Sequence, residues 1–533
     1  MLTMKKYVLI VIFFIIITAV HAQEFGFGFD DDAGETASPV SVKISGDIAA
    51  GFTGYVHDFS SDDKAKDASL GDILSGSLNF GATGANVDAF VGLNLSAAGF
   101  SEFASGLESP ASTPLILDEA YLRAYFGPVN VQAGYRKLTW GKADSLGPLD
   151  VINPLDYTEL TNISDILAMK IARPLVRVSW DIDGFSKLEA VFIPNFAGYR
   201  FAQSGRWAPA QFSTMRNITT KKLVEQIEQR YPMLSSDDID QFFNDYSDIY
   251  DYLLANNPDI LQAIYISPAI LQAMYPQMLT SAFSDFSPGF PDTSGLEYFQ
   301  TGLRFTTTVG PADIGAQYFY GNLFQPVFTL GSVDAFIDDL IAGNASFGNS
   351  GIYTGDLDLL YKIRYNRYHQ IGLDYAQVLF GFNIRGEFAV NLTEDLKGND
   401  GSVRNPFLAW SLGFDRDLFW GVNANMQCNE TIRLLNDKVG TDPALDCEAG
   451  TEITSTRFTM QLSKRFLKDE LECKVITIWG VEDSDCYIIP AIVWNIKDLT
   501  AELAAGVFAG KDSGELGQYR ENSFIKIGLA YSF

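Results

Sequence analysis

Nine residues carry what chemistry this chain displays: Glu119, Arg123, Gln132, Arg136, Arg177, Glu189, Arg304, Arg385 and Glu387. Each lies in a stretch where residues alternate, and each sits on the polar side of that alternation. In "EAYLRAYF", Glu119 and Arg123 share parity with Tyr121 and Tyr125, opposite Ala120, Leu122, Ala124 and Phe126. In the next stretch Gln132 and Arg136 oppose Val129, Val131, Ala133 and Tyr135, and later Arg304 opposes Leu303 and Phe305. Charges of both signs along one face make ion pairs and a transverse field, which narrows and polarises a pore; alternatively they only satisfy one another inside a filled barrel.

A hydrolytic reading finds less support. Nucleophilic catalysis needs a nucleophile beside a positioned base. With His21 in an N-terminal segment that reads as a cleaved signal peptide, only His57 and His369 remain for that role. The chain has no GxSxG elbow, HExxH or P-loop pattern. His369, beside Arg367 and Tyr368, reads as a surface histidine in a turn. Asp237 and Asp238 read as helix N-terminal charge. No enzymatic activity, cofactor or metal site is expected.

The densest run is "YRKLTWGKADSLGPLDVINPLDYTEL" at 135–160. Gly141, Gly147, Pro148, Asn153 and Pro154 punctuate it as a built loop. Asp150 and Asn153 can bond neighbouring backbone, and Trp140 can pack beneath the fold. The motif Trp140, Gly141, Asp150, Asn153, Pro154 and Asp156 therefore suits a rigid constriction, or equally a loop packed only on itself.

Here the sequence resembles a large group of Gram-negative outer-membrane proteins known as a domain of unknown function. Glu119-Ala120-Tyr121, Trp140-Gly141 and Asn153-Pro154-Leu155-Asp156 carry the resemblance, followed by "LEAVFIPNF". Gly134-Tyr135-Arg136 stands where that group has Gly-Arg-Gln. The clear match spans about 117–200. It implies an outer-membrane barrel concerned with passage of small or hydrophobic molecules. A more distant similarity is to long-chain fatty acid channels.

The elements that position these residues are strands. Val87, Ala89, Val91 and Leu93 alternate with Asp88, Phe90, Gly92 and Asn94; Ile384, Gly386, Phe388 and Val390 alternate with Asn383, Arg385, Glu387 and Ala389. Candidate strands run to about 10 residues, enough to cross hydrocarbon at a tilt. Aromatics such as Tyr318, Tyr320, Tyr531 and Phe533 mark their ends. Roughly 19 candidates arise, and the even count of single-chain barrels predicts 16 to 18, with "YNRYHQ" (365–370) and "QVLFG" (377–381) both eligible as turns. The expected fold is all-β: a transmembrane antiparallel barrel over 40–533, its last strand "NSFIKIGLAYSF" pairing with the first at 40–55.

Residues 218–290 break the pattern. Their period is helical, with starts at Asn257-Pro258 and Ser267-Pro268. This insert can be a lid, a plug, an adhesive surface or a compact loop domain. "SVDAFIDDLIAG", within a second insert at 322–355, is a further short-helix candidate.

The first 22 residues, with Lys5 and Lys6 before an apolar run and small residues at Val20 and Ala22, read as a cleaved signal peptide. Residues 23–39, with "DDDAGE", read as an acidic periplasmic leader. Losing Lys5 and Lys6 takes the formal charge from −28 to −30, which disfavours nucleic acid as a partner. In an oxidising compartment Cys428 and Cys447 could staple a long loop. The expected location is the outer membrane. The expected partners are outer-membrane lipid, the barrel-assembly machinery and a small-molecule solute. Channel or transport protein is the function expected; the alternative is a surface-exposed structural or adhesive barrel whose helical insert binds a partner.

Overall fold

A computed structural model describes residues 40–57, 74–95, 116–202 save 164, 290–332 and 361–533, with residues 205–211 and scattered positions up to 258, and residue 335. The expected signal peptide and leader, most of the 218–290 insert and the short-helix candidate near 332–343 lie outside the described residues.

Eighteen strands form one sheet in which each strand pairs antiparallel with its neighbour in sequence. They are β1 (Ser41–Tyr55), β2 (Leu74–Thr83), β3 (Val87–Asn94), β4 (Leu117–Phe126), β5 (Val129–Arg136), β6 (Arg173–Asp181), β7 (Ser186–Ile193), β8 (Gln300–Val309) and β9 (Ala312–Asn322). After these come β10 (Arg367–Leu379), β11 (Phe382–Thr393), β12 (Phe407–Asp417), β13 (Val422–Arg433), β14 (Thr454–Phe466), β15 (Leu471–Gly480), β16 (Asp485–Ile496), β17 (Leu499–Ala509) and β18 (Phe524–Ser532). β18 returns to β1, with Ile527 opposite Phe52 and Tyr531 opposite Ile48, so the sheet closes and has no free edge.

Eighteen lies within the expected range. The last two residues of "QVLFG" are a turn: Phe380 and Gly381 both take positive φ (53° and 79°), the pattern of primed two-residue hairpins whose twist matches the strands. "YNRYHQ" is not a turn throughout. β10 begins at Arg367, so His369 is a strand residue, placed there by pairing with Tyr320 on one side and Leu392 on the other.

The two ends of the barrel differ. At the end that holds Val40 and Phe533, all connections are two to four residues long. At the other end one connection, 481–484, has four residues and the remaining eight have thirteen or more. The insert at 218–290 belongs to this loop end.

Alternation decides which face each side chain takes. Ile44, Ile48 and Phe52 of β1, Val176, Val178 and Trp180 of β6, and Ile525, Ile527, Leu529 and Tyr531 of β18 are exposed on the outside. Ile527, for instance, is 54% exposed. A water-soluble fold would forfeit roughly 1.5–3 kcal/mol for each such side chain left outside. Facing inward are Gln132, Arg304, Gln317, Gln370, Glu387 and Asn391, all buried. The outer face is apolar, and these polar side chains turn inward.

The interior is partitioned. Around β15–β18 and β1, Tyr55, Ile476, Ile478, Tyr487, Ile489, Phe508 and Phe524 pack with Leu160, Trp207 and Tyr519 from the loops. Around β5–β13 the wall mixes polar side chains with an apolar patch, where Leu175, Val191, Ile193, Phe319 and Tyr368 pack on Leu138, Trp140, Val151 and Ile152 of the 137–172 connection. Among the described residues no helix is long and apolar enough to span a membrane, which says nothing of strands.

The four cysteines are free, so the expected Cys428–Cys447 staple is absent. Cys428 stands mid-strand opposite Leu412 and Phe458, which face outward. Cys447 lies in the 434–453 loop, tied to Gly401 through its backbone N–H. The β13 alternation points the Cys428 side chain away from that loop.

Candidate functional site: a loop folded into a charged lumen

The 137–172 connection does not extend from the barrel but turns inside it. Asn153 holds its neck: the amide oxygen accepts from Leu138 N–H (2.7 Å), and the amide nitrogen donates to the carbonyls of Arg136 and Ile171 (2.9 Å each). One side chain thus ties the end of β5, the loop and the approach to β6. The Pro154 carbonyl takes the Ile171 N–H (2.9 Å). Asp150 pairs with Lys170 at 2.7 Å, and Lys170 also donates to the Leu138 carbonyl and Thr139. Lys170 is nearly fully buried, so its charge is held by these partners alone. Asp156 pairs with Arg200 (3.2 Å) beside a short parallel pairing of Asp156–Tyr157 with Arg200–Phe201.

The far part of the loop is anchored on strands 168 to 283 residues away. Glu387 on β11 accepts the backbone N–H groups of Lys142, Ala143 (2.7 Å) and Leu149 (3.2 Å). Gln427 on β13 accepts from Asp144 and Ser145 N–H, and donates to the Leu146 carbonyl. Gln370 and Gln317 donate to the carbonyls of Pro148 and Leu149. Trp140, 3% exposed, donates its indole N–H to Glu189 (2.7 Å). Gly141 has φ +95°, and a Cβ there would collide with the Glu387 carboxylate. Only glycine serves at this approach.

The nine residues expected to line the lumen all take the inward side of their strands, opposite the exposed apolar side chains, and most are linked by contacts. Arg136 pairs with Glu119 (3.4 Å) and Arg123 with Asp88 (3.9 Å). Arg177 donates to Gln132 (3.3 Å) and pairs with Glu189, which Lys187 also reaches (3.2 Å). Arg304 donates to Gln317 (2.6 Å) and pairs with Asp374 (2.7 Å). Arg385 bridges Asp144 of the loop and Asp415 of β12 (3.0 Å). Register explains this continuity: Glu189 lies opposite Arg304, and Asp374 opposite Glu387.

Between the loop and β5–β8 lies a polar cavity of about 320 Å³, lined by Arg136, Lys137, Trp140, Arg177, Lys187, Glu189 and Arg304 among others. The buried Nε atoms of Arg136 and Arg177 have no hydrogen-bond acceptor. The wall here holds more donors than the protein satisfies.

Asp374, Asp144, Asp415, Lys170 and Gln427 join this network beyond the nine expected residues. Asp374 was findable, since it opposes Ile371, Leu373 and Tyr375 in β10. Lys170 and Asp144 lie in the irregular connection, where no period marks a side chain's direction. His369 faces outward and meets the Tyr318 hydroxyl (2.7 Å) within a loop-end aromatic cluster that includes Tyr320. His57, at the end of β1, stands 3.9 Å from Glu521. Among the described residues no group of three His, Cys, Asp or Glu could hold a metal ion.

No protein-family model matches the chain. No curated protein matches it either. Among solved structures, OccAB4 of Acinetobacter baumannii is similar over 93% of this chain and 99% of that one, at 8% identity and a TM-score of 0.41. A BenF-like porin from Pseudomonas fluorescens Pf-5 is similar over 94% and 99%, at 7% identity and 0.42. The outer membrane protein opdK from Pseudomonas aeruginosa is similar over 92% and 99%, at 8% and 0.41. Similarities of this strength carry nothing about solute or mechanism.

Proposed function

We propose that this protein is an outer-membrane channel for small polar or charged solutes, narrowed by the 137–172 loop folded into its lumen. The observation that carries the reading is the loop's mode of attachment. Its backbone is held by polar side chains of the barrel wall, beside a cavity with five cations and one carboxylate in its lining. A barrel serving only as an anchor has no use for unsatisfied inward guanidinium groups next to open space. Placement in a membrane rests on the apolar outer belt and the closed sheet, since backbone groups in hydrocarbon must all be paired. The asymmetry of the ends supports an orientation with the long loops on the cell surface and the short turns in the periplasm.

The residues divide the work. Arg136, Arg177, Lys187 and Arg304 favour anionic groups in the cavity. Glu189 and Glu119 set their orientation. Trp140 and Asn153 keep the loop in place.

The reading is tested by the reversal potential of the reconstituted protein across a KCl gradient. Arg136→Glu is expected to move selectivity toward cations, and an unchanged reversal potential overturns the assignment of this wall to the ion path. The surface-binding alternative depends on the 218–290 insert, of which few residues are described.

A further inference from the structure

On the outside of the barrel, away from the lumen, an almost wholly apolar groove of about 590 Å³ crosses β13 to β18. Leu462, Cys473, Pro490, Leu503 and Ala505 contribute to its walls and Lys464 stands at one margin. Its cause is local. Pro490 has no N–H to give, and the β16–β17 pairing skips Ile489 and Pro490 between Ile488↔Val507 and Ala491↔Ala504. Ala505, small and outward, faces this interruption where its neighbours Leu503 and Val507 project.

Two features commit the groove to one occupant. Six strands at about 4.8 Å spacing make it about 24 Å long, more than the roughly 15 Å half-thickness of a hydrocarbon core. One acyl chain lying at a tilt fits that run. Lys464 is two residues from the short-turn end, on the outward side with Leu462 and Phe466. Its ammonium stands 5.0 Å from the Phe466 ring and has no carboxylate within ion-pair distance among the described residues. A cation at that depth, on a belt without a carboxylate beside it, suits a phosphate headgroup.

We propose that the groove is a specific site for one phospholipid of the leaflet at the short-turn end, its acyl chain along Pro490 and Ala505 and its phosphate on Lys464. This rests on the membrane placement proposed above, and not on what the lumen conducts. A second copy of the chain would need a projecting ridge in place of a flexible chain and an acidic group for Lys464.

The test is native mass spectrometry of the full barrel released from detergent and titrated with dipalmitoyl phosphatidylglycerol. The wild type is expected to retain one lipid after the bulk is stripped. Lys464→Glu should weaken that binding about tenfold, and Ala505→Leu, which fills the groove, should abolish it; heat-modifiable gel migration reports whether each variant is folded. A retained lipid indifferent to both folded variants overturns the site, as does a dimer that Ala505→Leu dissociates, which would make a second copy the occupant. Should Ala505→Leu not fold, a second measurement decides. A fluorophore on Cys473, with the other three cysteines replaced by serine, is expected to be quenched by bromo-acyl phosphatidylglycerol more strongly with Lys464 than with Glu at that position. Equal quenching overturns the proposal. Failure of the wild type to enter vesicles at all would instead overturn the membrane placement.

Discussion

Removing the Glu387 carboxylate should loosen the loop proposed to narrow the lumen. Glu387 accepts three backbone N–H groups, those of Lys142, Ala143 and Leu149. Glu387→Ala deprives all three of their acceptor. In a dry core each orphaned donor would cost about 1–3 kcal/mol, but a lumen admits water, which recovers part of that, so about 2–4 kcal/mol in total is a fair expectation. At about 1.4 kcal/mol per decade, the balance between docked and released loop shifts roughly 30- to 1,000-fold toward release. Trp140–Glu189, Asn153 and Lys170–Asp150 still hold the neck. Gln427, Gln370, Gln317 and Arg385 keep their hold on 144–149, so the release centres on 141–143 and loosens the segment between that hold and the fixed neck. Single-channel recording should show larger and noisier conductance, and larger polyethylene glycols should enter. Glu387→Gln, which keeps one acceptor oxygen, should fall between. A folded Glu387→Ala barrel with unchanged conductance and unchanged exclusion size refutes the claim that this loop sets the constriction.

Further expectations concern stability and reactivity. Arg304→Ala leaves Asp374, whose side chain is fully buried, without its cation, and should lower barrel stability by about 3–5 kcal/mol in urea unfolding; adding Asp374→Asn should restore much of it. Burial pushes the Cys447 thiol up to about 12, so alkylation of Cys447 at pH 8 should lag far behind a free thiol's and quicken as pH rises; fast labelling at pH 8 counts against its placement. The Lys222 side chain hydrogen-bonds Asp442 and holds that carboxyl below its ordinary range. The contact between the insert and the 434–453 loop is therefore fully present above the ordinary aspartate value of about 3.9 and is lost as pH falls through the lowered one. Hydrogen exchange in 434–453 should accelerate on that descent, and Lys222→Ala should shrink the pH step to the part that the Ala444 N–H on Asp442 contributes.

The barrel was legible because strand alternation has a period of two, and a single residue of slip would turn an Arg or Glu to the apolar side. Hence Arg123, Arg136, Arg177 and Arg304 could be assigned to one face from their neighbours alone, and the closing strand from Ile525 to Phe533 likewise. The character of the 137–172 loop was legible in its glycines, prolines and Trp140, but its direction was not. What turns it inward is Glu387, Gln427, Gln370 and Gln317, contributed by strands that come near only when the sheet closes. The Cys428–Cys447 pairing failed for the opposite reason: compartment and spacing favoured it, while β13 alternation aims Cys428 outward. His369 was misread because a Tyr-Asn-Arg-Tyr run carries turn and strand signals together.

The central claim is that a continuous aqueous path passes the docked loop. Recording purified wild-type protein in a planar lipid bilayer in 1 M KCl tests it most directly. Discrete, uniform conductance steps that shift toward cation selectivity in Arg136→Glu are the predicted result, whereas a folded, inserted barrel that stays electrically silent contradicts the account.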